Sequence, residues 1–126
     1  MDNYIKKIKT KNIHIVGAFG AEGSAVLEFL AARGAENITA HDFSADKEEL
    51  RRNFSKTHIW IKKKTERLRE LESILKMPAK LNFKNKYLEG IMEADIIFAP
   101  SSWRLYKPNF PVLQNAKDNG IEFSSL

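Results

Sequence analysis

The sequence predicts an α/β fold, a doubly wound three-layer sandwich of about five mainly parallel strands in the order 3-2-1-4-5. Short β-branched runs alternate with helical patterns along the chain, which is typical of a parallel sheet covered by helices on both faces. The first such run, residues 13–16, ends at a glycine loop, and a helical pattern begins directly after it. In Rossmann-like folds of this kind, ligands bind at the carboxyl ends of the strands, where the strand order reverses.

Each element follows from a local pattern: strands from short apolar runs, helices from apolar residues at helical spacing. Gly34 and Gly120 are natural caps after two of the helices, and Pro78 ends another. Strands are predicted at 13–16, 38–41, 81–83, 95–99 and 121–123, and helices at 21–33, 47–56, 59–76, 87–94 and 108–119. The helix at 59–76 is an extra central helix for this fold. In the helix at 87–94, we expect Met92 to be buried with its apolar neighbours.

The glycine loop is the first candidate binding element. Gly17, Gly20 and Gly23 form a G-x-x-G-x-x-G pattern, which differs from the G-x-G-x-x-G of dinucleotide enzymes. Such a loop turns backbone N–H groups outward, and the helix N-terminus adds partial positive charge, so the pair suits a phosphate. At Gly20 we expect either a positive φ or a close backbone approach. The alternative is a tight strand-to-helix turn without a ligand.

Asp42 is the second candidate, because it closes the second predicted strand and can accept hydrogen bonds from a ribose or a base. Ser101 and Ser102 follow the fourth strand, where amides and hydroxyls suit a second phosphate, although a simple loop explains them equally well. Arg104 and Lys107 are near enough in sequence to neutralise a pyrophosphate or to be plain surface charges. Together these residues predict a nucleotide site.

Composition narrows the function classes. The 126 residues predict one domain, residues 1–126, with 43% hydrophobic content, no cysteine and a net charge of +5. Acidic residues interleave with the lysines, so we expect no nucleic-acid partner, and no apolar run suggests a membrane partner. The three histidines lack metal-ligand spacing, no P-loop motif is present, and no catalytic residue is predicted. A reducing cytoplasm suits a chain without cysteine.

The ordered set of motifs resembles the N-terminal, uridine-nucleotide-binding domain of the Mur ligases, the ATP-dependent ligases that build the peptide stem of peptidoglycan. The resemblance covers about residues 11–126, apart from the central helices. The motifs that carry it are IHIVG with the glycine loop at 13–23, ARG at 32–34, TAHD at 39–42, EADIIFAPSS at 93–102, and PNF at 108–110 followed by AKDNGIE at 116–122.

This resemblance implies a UDP-N-acetylmuramoyl substrate held at three places. By this resemblance the amides of Ala21 and Glu22 bind the diphosphate. The uracil and ribose meet Asp42, Phe43 and Ser44. The phosphates or the muramoyl group meet Ser101 and Ser102. The sequence departs from the family at 100–102, where Pro-Ser-Ser replaces Ser-Pro-Gly. The helix at 59–76 has no counterpart in typical members and either covers the uracil site or packs outside it.

Within the family, the ARG motif, the fourth strand and the Ala-Glu-Gly at 21–23 favour the D-glutamate-adding ligase. The IHIVG opening and the loop length favour the L-alanine-adding ligase as second choice. Family members bind ATP and Mg²⁺ in a central domain and the amino acid in a C-terminal one, so we expect no cofactor here, the remaining ligase domains as partners, and no activity alone. Two other classes stay open: an NAD(P)-binding domain of a dehydrogenase or regulator, and an interaction module using the basic residues 62–64.

Overall fold

The computed structural model describes residues 6–56, 64–105 and 107–125 and contains a five-stranded parallel sheet in the order β3-β2-β1-β4-β5. The strands are β1 (Asn12–Val16), β2 (Asn37–His41), β3 (Lys80–Asn82), β4 (Ile96–Ala99) and β5 (Glu122–Ser125). The helices are α1 (Ala21–Ala32), α2 (Lys47–Lys56), α3 (Lys64–Leu75) and α4 (Phe110–Asp118). The predicted Rossmann-like architecture and strand order are confirmed.

Strand residues alternate between two hydrophobic cores, one on each face of the sheet. Ile13 and Ile15 of β1 belong to the core that contains the buried leucines of α1, and Val16 belongs to the core that contains Leu113 of α4. We call these the α1 face and the α4 face. In β4, Ile96 and Phe98 lie on the α1 face, and Ile97 and Ala99 on the α4 face. Burial on both sides explains why β4 is wholly apolar and why β1 contains Ile13, Ile15 and Val16.

Helices α2 and α3 pack together on the α1 face. Leu50 of α2 and Leu71 and Ile74 of α3 are buried in that core, and Arg51 Nε lies 2.5 Å from Glu72 Oε1 across the pair. The prediction for α2 is confirmed at both ends. The extra central helix exists from Lys64 to Leu75, and the first part of its predicted span, at 59–63, lies outside the described residues. Its described part contributes to the core.

The helix predicted at 87–94 was wrong. The chain forms 3-10 turns at Lys84–Lys86 and Ile91–Glu93, and between them Leu88 and Gly90 have φ angles of 63° and 79°. Two left-handed residues so close together prevent a continuous α-helix. Met92, expected to be buried, is 43% exposed, and of the residues Ile91–Glu93 only Ile91 is buried.

This irregular segment covers a polar part of the α4 face. His14 of β1 and His41 of β2 are both buried, and the Leu88 N–H donates to His41 Nδ1 over 3.0 Å. Neutral His41 therefore carries its proton on Nε2 and donates it to His14 Nδ1, 2.8 Å away. Burial, assisted by Lys80, lowers the pKa of His14 to about 4. Burial, with His14 and Lys80, lowers that of His41 to about 3.

Among the described residues, no helix combines the length and the apolar character that a membrane crossing requires.

The histidine pair predicts acid-sensitive stability. Between pH 6.5 and the folded pKa values, the unfolded chain binds protons that the folded chain does not, so the free energy of unfolding falls as pH drops below about 6.5. Each histidine contributes a slope of up to about 1.4 kcal/mol per pH unit. Urea unfolding of the wild type and of His14→Gln between pH 7.5 and 5 measures this pH dependence. The free energy of unfolding of the variant should fall less steeply with pH, and equal slopes would contradict a lowered pKa for His14 in the folded chain.

Candidate functional site

A crevice of about 420 Å³ opens at the carboxyl ends of β1, β2 and β4. Its position is the point where the strand order reverses between β1 and β4, which is where open α/β sheets bind ligands. The lining residues are Val16, Gly17, Gly20, Glu22, Gly23, Asp42, Phe43, Tyr87, Pro100, Ser102 and Asn109. The structure thus brings together seven of the predicted site residues with four residues that were not predicted as part of the site.

The glycine loop divides its amides between the fold and the crevice. The N–H groups of Gly17 and Ala18 both donate to the carbonyl of His41, at 3.0 and 3.1 Å. The first helical bond of α1 runs from Ser24 N–H to Gly20 O, over 2.9 Å. The amides of residues 21–23 precede that bond and have no intrahelical acceptor. Gly20, the N-cap, supplies no side-chain cap, so the first turn of α1 keeps its donors for another partner.

Glycine is required at two positions of this loop. Gly17 has a φ of +69°, and a Cβ on Gly23 would lie 2.1 Å from the Gly17 carbonyl oxygen. Our expectation for Gly20 was wrong: its φ is −73°, and a Cβ there would meet the Gly17 oxygen at 3.4 Å, an ordinary contact. The tight approach needed to start α1 against the end of β1 therefore occurs at Gly23.

Asp42 is held by a local turn. Its Oδ2 accepts the Ser44 N–H over 2.8 Å, and its own N–H donates to the Asn82 carbonyl over 3.0 Å. Phe43 lines the crevice and is 40% exposed. Ser44 is buried and does not line the crevice; its carbonyl accepts the Lys84 N–H over 3.0 Å. In this structure Ser44 supports the turn that presents Asp42 and Phe43.

Tyr87 and Asn109 form a wall of the crevice that the sequence analysis missed. The Tyr87 ring lies on Phe43 with centroids 4.3 Å apart, and its hydroxyl donates to Asn109 Oδ1. Burial and the nearby Asp42 carboxylate raise the pKa of Tyr87, so the hydroxyl keeps its proton. The sequence pattern predicts a helix at Tyr87, and Asn109 belongs only to the PNF motif of the family resemblance. Neither residue therefore carries a local signal for a binding role.

The loop after β4 contributes less than expected. Ser102 lines the crevice, whereas Ser101 lines a separate depression with Trp103 and Lys117. Trp103 is buried and packs near Phe123, with ring centroids 5.7 Å apart. Arg104, a candidate partner for a pyrophosphate, lies over the Trp103 ring at 5.0 Å from its centroid. Over the described ranges, no lysine or arginine lines the crevice.

The arrangement is suited to binding a ligand with anionic, hydroxyl-bearing and planar parts. Backbone donors at α1 suit anionic oxygens, Asp42 accepts from hydroxyl or N–H groups, and Phe43, which is 40% exposed, adds an aromatic side chain to the lining. Among the residues that the structure describes, no group of three or more His, Asp or Glu side chains is placed to hold a metal ion.

The fold and crevice define a Rossmann-like α/β domain, and comparison with known proteins adds little to that class. No protein-family model matches the chain, and no curated protein matches it significantly. A solved structure of AtPrR2 with NADP⁺ and (+)pinoresinol is 18% identical, with a TM-score of 0.49 over 90% of this chain and 35% of that chain. The present chain thus spans about a third of that protein, a similarity too distant to bear on function.

The glycine loop yields a paired prediction. Gly23→Ala places a Cβ against backbone atoms, and we expect it to lower the free energy of unfolding by roughly 1–3 kcal/mol. Gly20→Ala, three residues away in the same loop, should change it by less than about 0.5 kcal/mol. Urea denaturation of both variants measures the difference. Equal stability of the two variants would show that the close approach at Gly23 is not a constraint.

Proposed function

We propose that the crevice binds the UDP part of a UDP-muramoyl substrate and that the chain acts as the substrate-binding domain of a peptidoglycan-precursor ligase. The observation that carries the proposal is the uncapped first turn of α1, which opens onto a crevice that Asp42 lines from the neighbouring strand end. The Mur-ligase motifs quoted above supply the identity of the nucleotide. They favour the D-glutamate-adding ligase, with the L-alanine-adding ligase second.

The diphosphate would meet the amides of Ala21, Glu22 and Gly23. Three N–H groups at the start of a 12-residue helix provide directed donors and partial positive charge without a lysine. Ser102 lines the same crevice and adds a hydroxyl that can donate to a phosphate or muramoyl oxygen.

The uridine would meet Asp42 and Phe43. Because the Ser44 amide occupies Oδ2 of Asp42, the carboxylate is held in one orientation and its other oxygen can accept from a ribose hydroxyl or the uracil N–H. The Phe43 ring rests on Tyr87, which stiffens it as a surface for the planar base.

In this proposal the chain binds and orients the nucleotide substrate, and ATP chemistry belongs to further ligase domains. Helix α3 would take no part in binding, because none of its described residues lines the crevice; it packs on the α1 face. Such a domain has no catalytic residue of its own, in keeping with the absence of a P-loop motif from the sequence.

The position of Asp42 favours one other candidate, an NAD(P)-binding domain of a dehydrogenase or regulator. An acidic side chain after the second strand is where dinucleotide-binding domains hold the adenosine ribose, and Asp42 follows β2 and lines the crevice. The glycine spacing is that candidate's weak point, since the loop lacks the G-x-G-x-x-G pattern.

Amide-shift NMR titration with UDP-N-acetylmuramoyl-L-alanine, UDP-N-acetylmuramate and NAD⁺ in parallel separates the two candidates. We expect shifts at residues 21–23 and 42–43 with both uridine ligands and none with NAD⁺. The tighter of the two uridine ligands would choose between the ligase branches. Shifts with NAD⁺ alone would favour the dinucleotide-binding candidate, and no shift with any ligand would refute nucleotide binding by this crevice.

Substitution of Asp42 tests the uridine end. Asp42→Asn keeps an oxygen for the Ser44 amide and replaces the other acceptor by a donor, so affinity for UDP should fall by about 1–3 kcal/mol while the turn persists. Asp46→Asn is the matched control, because Asp46 Oδ1 accepts the Glu49 N–H at the start of α2 and lies outside the crevice. Calorimetric or NMR affinities measure both. An Asp42→Asn variant that binds UDP as tightly as the control would remove Asp42 from the site.

A further inference from the structure

Asn109 is a buried polar side chain whose donor end is unused by the protein. The residue is 2% exposed and lines the crevice. Its Oδ1 accepts the Tyr87 hydroxyl. Its amide nitrogen has no partner among residues 6–56, 64–105 and 107–125 and is not among the fully enclosed side-chain atoms that lack one. Buried side-chain amides normally have hydrogen-bond partners, and a nitrogen that lines the crevice without a protein acceptor is available to an acceptor atom of a bound ligand.

The orientation of this amide is set by Tyr87. The tyrosine hydroxyl is protonated and acts as the donor, so it selects the amide oxygen of Asn109 and turns the NH₂ group toward the crevice. The Tyr87 ring itself lies between Phe43 and Asn109. Tyr87 therefore contacts Phe43 with its ring and Asn109 with its hydroxyl, which makes Asn109 a contact point distinct from the Asp42–Phe43 end of the crevice.

We propose that Asn109 donates hydrogen bonds from its amide nitrogen to a phosphate oxygen of the bound nucleotide, and that Tyr87 acts as its positioning residue. The inference rests on the nucleotide-binding function proposed above and adds a side-chain donor for the diphosphate in the crevice that the first turn of α1 also lines. An NH₂ group, which only donates, suits this place because phosphate oxygens accept. It also supplies, from the wall formed by Tyr87 and Asn109, part of the donor set that no lysine or arginine of the described residues provides.

The test compares UDP with uridine, which shares the nucleoside and lacks the phosphates, by NMR titration of the intact chain. Asn109→Asp keeps size and the oxygen for Tyr87 but replaces the donor by a negative oxygen. We expect it to weaken UDP binding about 10- to 100-fold and to leave uridine binding within about twofold. Asn115→Asp, the same change at an exposed position of α4, is the control and should affect neither ligand.

Tyr87→Phe keeps the ring and removes the hydroxyl, freeing the Asn109 amide to rotate. We expect about a threefold loss for UDP, none for uridine, and no further loss when the change is added to Asn109→Asp. An additive loss would overturn the positioning role. If circular dichroism shows that Asn109→Asp does not fold, Asn109→Ala gives the same comparison without a buried charge.

The outcomes separate this inference from the function on which it rests. Unchanged UDP affinity in the Asn109 variants, or equal weakening of UDP and uridine, overturns the phosphate contact while nucleotide binding stands. A wild-type chain that binds neither UDP nor uridine refutes the proposed function itself.

Discussion

The structure around the crevice depends on one residue, His41, at the end of β2. Its carbonyl accepts the amides of Gly17 and Ala18 and so fixes the glycine loop at the end of β1. Its ring accepts the Leu88 amide and bonds to His14, which fixes the segment that carries Tyr87. His41 thereby holds two walls of the crevice, the glycine loop and the segment with Tyr87, which are about seventy residues apart in the chain.

This arrangement requires a neutral imidazole. A proton on His41 Nδ1 would face the Leu88 N–H, a donor against a donor, and burial already disfavours the charged ring. The Leu88 backbone has a positive φ of 63°, which a leucine adopts only when the surroundings enforce it. The hydrogen bond from the Leu88 N–H to His41 and the burial of the Leu88 side chain hold the backbone in this conformation. Substitution of the His41 side chain would therefore release the strained segment, whereas the backbone carbonyl that holds the glycine loop would remain.

The sequence was sufficient for the sheet because parallel strands buried on both faces show as short apolar runs bounded by turns. It failed at 87–94, where Leu88 and Ile91 are both buried and spaced as on a helix, but Leu88 lies between the two 3-10 turns and Ile91 begins the second. Nothing local announces that Leu88 adopts a left-handed conformation, since the enforcing contact comes from His41, 47 positions away. The three histidines looked unremarkable in sequence for the same reason: the bond between two of them exists only once β1 and β2 pair.

The parts of the site that lie directly at strand ends were predictable from the sequence, and the parts that depend on contacts between distant segments were not. The glycine loop and Asp42 sit at strand ends, where the fold alone directs them to one edge of the sheet. Tyr87 and Asn109 meet across 22 positions, and only the path of the irregular segment brings them together. Their contribution also changes the electrostatics. Glu22 and Asp42 both line the crevice, so an anionic ligand would meet two carboxylates and no side-chain cation from the described chain. Neutral, directed donors from α1 and Asn109 would then have to hold the phosphates, which makes selectivity depend on geometry more than on net charge.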